Sequence, residues 1–66
     1  MEESKEKLIR EFEELKSLEL EAAHLYKNLL PLITDPTDAA VLTGIVKDEH
    51  RHADIAQEII DIIKSA

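Results

Sequence analysis

The chain is expected to be all-α: an antiparallel two-helix hairpin that dimerises into a four-helix bundle. Three observations lead there. Apolar residues recur at alternating steps of three and four through most of the 66 residues. A single break, around Pro31 to Pro36, divides the pattern into two arms of similar length. The apolar surface on each arm is wider than one neighbouring helix can cover, so two helices alone leave part of it in water.

The first arm reads as a helix over about 4–30. Its core stripe is Leu8, Phe12, Leu15, Glu19, Ala22, Tyr26, Leu29 and Ile33, with Glu19 the only charged member. A second column, Leu18, Leu25 and Leu32, lies roughly 100° to one side. Pro31 has no amide proton and disfavours helical geometry at Leu30, so the helix should end or kink there. The turn is placed at about 31–35. Asp35, Pro36 and Asp38 then make a helix start: a side chain that caps free amides, a proline in the first helical position, and a negative charge in the first turn. So short a connection forces the two helices antiparallel.

The second helix should run over about 36–64, with Gly44 its one weak point. Its stripe is Leu42, Ile45, Glu49, His52, Ala56, Ile59 and Ile63. The C-terminal half, with Ile55, Ile59, Ile60, Ile62 and Ile63, is apolar over more than half its circumference. A homodimer is the simplest remedy, because like hairpins present like stripes.

Composition narrows the function. Sixty-six residues form one domain, small enough to need a staple, a metal or a partner. The absence of cysteine removes disulfides, zinc ribbons, iron–sulfur clusters and rubredoxin-type iron. A net charge of −7 argues against nucleic acid and anionic membrane, and suits attraction of cations. No apolar run approaches the ~20 residues of a membrane span. The acidic opening of the chain is unlike a signal peptide, so a cytoplasmic location is expected.

Glu49 and His52 are three apart and share a helix face, and that face is the apolar one. A carboxylate and an imidazole within a core stripe need a partner, and a metal ion suits Glu-x-x-His at this spacing. With the turn centred on Thr34, Glu19 lies 15 residues before it and Glu49 15 residues after it. At ~1.5 Å per residue both stand roughly 22 Å from the turn, at one level of the hairpin. Doubling the hairpin about a two-fold axis perpendicular to the bundle gathers four Glu and two His. Bundles with a Glu on each of two helices and a Glu-x-x-His on each of the others hold two iron or manganese ions.

Two segments carry a family resemblance. Glu19-Leu20-Glu21-Ala22-Ala23-His24-Leu25-Tyr26 resembles the first helix of the ferritin-like di-iron carboxylate superfamily, of rubrerythrin and ferritin type, where a ligand Glu precedes a Tyr by seven residues. Asp48-Glu49-His50-Arg51-His52-Ala53 resembles its second helix. As a single hairpin, the chain is similar to the encapsulated ferritins, which build their iron site across a subunit interface. No docking tail is expected after Ile63-Lys64-Ser65-Ala66, and without cysteine no rubredoxin module of the rubrerythrin kind is expected.

The resemblance implies Glu19 as a terminal carboxylate ligand, Glu49 as a bridging one and His52 as the nitrogen ligand. Two Fe per dimer are implied as cofactor, with Mn the alternative, and Fe(II) with O₂ or peroxide as reactants in a ferroxidase-like oxidation. Asp48 would orient the His52 of the other chain. Tyr26 is a candidate hydrogen-bond donor to a ligand carboxylate or a redox-active neighbour, with plain core packing as the alternative. Glu21 and His24 also spell Glu-x-x-His, but on the solvent side. Two readings compete with an oxidoreductase: an iron-binding or storage module without turnover, and a purely structural dimerising hairpin. The pairing could extend to a higher oligomer.

Overall fold

The computed structural model describes residues 2–66. Helix α1 spans Glu2–Leu29, a single 3-10 turn follows over Leu30–Leu32, and helix α2 spans Pro36–Ser65. The two helices lie antiparallel as a rod measuring 52 × 14 × 9 Å. The expected hairpin is thus observed, and no strand occurs among the described residues.

Local chemistry accounts for the turn. Pro31 sits inside the 3-10 turn, where the tighter winding replaces the α-helical bond that proline cannot make. Ile33 adopts extended geometry while its amide still bonds Leu30 O, which closes the turn. Asp35 then caps α2: one carboxylate oxygen accepts from the Thr37 and Asp38 amides, at 2.8 and 3.0 Å. Pro36 takes the first turn of α2, where its missing amide proton costs nothing. At the other end Lys64 lies in the last turn, complementing the helix dipole.

The contact between helices is thin. Only Ala23, Ala53, Ala56 and Ile60 are buried among the described residues. The three alanines on the facing surfaces are small enough not to hold the two backbones apart. Ile60 is the one large side chain sealed completely, and its burial stabilises the hairpin by about 1.5–3 kcal/mol.

The seam is therefore not quite the stripe expected from the leucines. Leu8, Leu15, Tyr26 and Leu29 of the α1 stripe remain exposed, and His52 of the α2 stripe is exposed as well. The side turned to α2 instead carries Ile9, Phe12, Lys16, Glu19 and Ala23. A wide apolar sector offers several rotations about the helix axis, and the one chosen presses the small residues together. The large ones are left over. Leu8, Leu15, Tyr26 and Leu29 share one flank of the rod with Ile55 of α2, and the site described next opens onto that flank.

The opposite flank is polar. There Lys16 Nζ donates across the hairpin to Gln57 Oε1 at 2.7 Å, and Gln57 Nε2 donates to Asp61 Oδ1 at 3.0 Å. Lys5 reaches the carbonyl of Ala66 and ties the two free ends together. Large apolar side chains are exposed elsewhere too: Leu18 and Leu25 of α1 and Leu32 of the 3-10 turn form a second exposed column, and Leu20 is exposed as well.

Candidate metal centre

At mid-length of the rod, Glu19 of α1 meets Glu49 and His52 of α2. One donor atom from each lies within 4.8 Å of the others. Among the described residues this is the only group of three or more His, Asp and Glu donors so placed. Helix periodicity does this work. The i, i+3 spacing of Glu49 and His52 aims both at the same flank, and the equal arm lengths bring Glu19 level with them.

His52 Nδ1 lies 3.1 Å from Glu19 Oε2, a distance at which the ring N–H donates to the carboxylate. Glu19 and Glu49 are half-buried, while His52 sits at the open edge. The Glu49 carboxyl is held above its ordinary value of 4.5. The largest cause is its hydrogen bond with Glu19. Partial burial and the Glu19 charge push the same way, and His52 pulls in the other direction. The proximity of Glu19 makes a proton on Glu49 easier to keep, and a divalent ion bound there would take that proton's place.

The donor set fits iron or manganese. Two hard carboxylates and one imidazole, with no thiolate, suit Fe(II) and Mn(II) better than zinc, which favours sulfur and nitrogen ligands. Three donors from one hairpin leave much of the coordination sphere unfilled, and the open side of the site is the exposed flank. No protein-family model, curated protein or solved structure matches the chain. The reading therefore stands on this geometry.

The remaining residues singled out in the sequence lie outside the cluster. Asp48 is exposed and pairs with Arg51 of its own helix, Oδ1 to Nη2 at 3.7 Å. That pairing had no distinctive signal beyond an i, i+3 acid and base. Tyr26 is 38% exposed, so within one hairpin it is not a core residue. Glu21 and His24 face water on the outside of α1, where His24 Nε2 is 3.2 Å from Asn28 Nδ2. The inter-helix Lys16–Gln57 bond was not anticipated, because a lysine and a glutamine 41 apart look like any solvated pair.

Proposed function

We propose that two copies of this hairpin pair through their apolar flanks into a four-helix bundle with ferroxidase-like chemistry. Glu19, Glu49 and His52 of both copies would hold two Fe(II), or Mn(II), between them. The observation that carries this is the convergence of those three side chains at one level of a rod whose flank there exposes Leu8, Leu15, Leu29 and Ile55.

Surface area supports the pairing. A compact monomer of 7.5 kDa exposes about 4,250 Å². This chain exposes 5072 Å². The surplus of about 800 Å² matches what each partner contributes to a standard protein–protein interface. Like flanks pairing about a two-fold axis also supply each half-site with the donors it lacks.

In such a bundle the carboxylates of Glu19 and Glu49 would neutralise the charge of the ions and hold the two close together. Glu49 holds its proton to higher pH than an ordinary carboxyl, so at low pH that proton would compete with an entering ion. The surrounding aliphatic side chains limit water. Two Fe(II) held there would supply, one electron each, the two electrons that with two protons take O₂ to hydrogen peroxide, or hydrogen peroxide to two waters.

The test is reconstitution of the apo protein with Fe(II) under anaerobic conditions. Two irons per dimer are expected, and Glu49→Ala should hold none. Mixing with O₂ in a stopped flow should give oxidation faster than that of free Fe(II). Oxidation at the free-ion rate would leave an iron-binding module without turnover. Failure to bind Fe(II) or Mn(II) at all would leave a structural hairpin.

A further inference from the structure

The apolar flank carries a depression of about 200 Å³, lined by Leu15, Glu19, His52, Ile55, Ala56 and Ile59. Apolar cavities of about 150 Å³ admit a benzene ring. The depression therefore has room for one aromatic side chain. It lies on the free-end side of the metal-site residues, with its centre about 6 Å beyond them at ~1.5 Å per residue.

The same flank carries the only tyrosine of the chain, 38% exposed. Tyr26 is seven residues from Glu19, which puts its Cα about 10 Å to the turn side of the site. A helical side chain leans back over the preceding turn, so the ring sits nearer the site than its Cα does. We infer that, in the pair, Tyr26 of each copy seats in the depression of the other, beside His52. This rests on the pairing proposed above, about a two-fold axis perpendicular to the bundle, which sets the two turns at opposite ends. Rotation about an axis through the site carries the Tyr26 ring from at most about 10 Å below it to the same distance above, level with Leu15, Ile55 and Ile59.

Charge favours the same orientation. Asp48 and Arg51 straddle the level of the site, so rotation sets Asp48 of one copy beside Arg51 of the other. With both turns at one end, Asp48 would oppose Asp48 and Arg51 would oppose Arg51, an unfavourable arrangement. The two depressions would then also face each other at the same level, and both tyrosines would meet elsewhere.

Nuclear Overhauser contacts test this directly. Tyr26 and Ile59 are about 25 Å apart along one hairpin, so any contact between them must cross copies. The chain has no tryptophan and one phenylalanine, which keeps the tyrosine ring signals resolved. In the apo or Zn(II)-loaded dimer, the Tyr26 ring should contact the Ile55 and Ile59 methyl groups. A dimer in which the ring contacts only turn-end residues or the other Tyr26 overturns the inference and leaves the pairing intact. A monomer at every concentration, with and without Zn(II), overturns both. Tyr26→Ala should weaken the dimer about 100-fold, as expected for two interface anchors, and Tyr26→Phe should leave it nearly unchanged. Equal dissociation constants for all three proteins would also overturn it.

Discussion

Replacing Glu49 by Gln should separate what this residue does for the fold from what it does for a metal. In the apo hairpin Glu49 is crowded by Glu19, and its carboxyl keeps a proton to higher pH than the usual 4.5. The sign follows from proton binding. Between 4.5 and the raised value the folded chain holds more protons than the unfolded one. Stability therefore falls as pH rises through that window. Glutamine keeps the shape, donates a hydrogen bond to the Glu19 carboxylate and carries no charge. The apo variant should therefore melt no lower than the parent at pH 7, and the loss of stability through that window should flatten.

Metal linkage should change in the opposite sense. An ion bound only by the folded state at 100 times its dissociation constant stabilises that state by about 2.7 kcal/mol. For a domain of this size each kcal/mol moves the midpoint by about 4–8 °C, so the parent should gain about 11–22 °C. Glu49→Gln should gain almost none of this. The assay is thermal unfolding by circular dichroism, at one protein concentration, with and without anaerobic Fe(II) or with Mn(II). Binding by the parent should weaken as pH falls towards the raised Glu49 value, because the ion needs the ionised carboxylate. An equal midpoint shift in variant and parent would refute Glu49 as a ligand. An apo variant melting well below the parent would refute the repulsive reading of the Glu19–Glu49 pair.

Three further substitutions probe the scaffold. Gly44 lies inside α2, and a Cβ added there meets nothing within 4 Å, so Gly44→Ala should stabilise by about 1 kcal/mol. Its melting midpoint should rise by about 4–8 °C; a fall would place the backbone of a second copy against that position. Asp35→Ala removes the acceptor for two amides and should cost about 1 kcal/mol in urea unfolding. Ile60→Ala empties the one fully sealed large side-chain position and should cost about 2–5 kcal/mol. With so few buried residues to compensate, that variant should be largely unfolded in the apo state, which loss of helical circular dichroism would register.

Much of this was legible before any coordinates, because the signals are local. Pro31, Asp35 and Pro36 act on backbone geometry within a turn of themselves, so they mark the hairpin wherever the rest of the chain goes. The cluster was legible too, since three steps along a helix and equal distances from one turn are properties of numbering alone. What resisted reading was rotation. Leu8, Leu15 and Tyr26 look like core residues by spacing, yet the hairpin closes on Ala23, Ala53 and Ala56. Hydrophobic periodicity reports that a sector is apolar; packing decides which part of it meets which neighbour. Asp48 shows the same limit, since sequence places it beside the site but not which cation it pairs with.

Sequence by itself determined two antiparallel helices and brought Glu19, Glu49 and His52 to one level. Those are consequences of a fixed rise, a fixed period and a proline-bounded turn. Only the tertiary structure decided that Glu19 and Glu49 are half-buried beside the seam while His52 lies at its open edge, next to an uncovered apolar flank. The reason is volume: the seam goes to the small residues that allow close backbone approach, and the bulky ones are displaced to the side where the half-site opens.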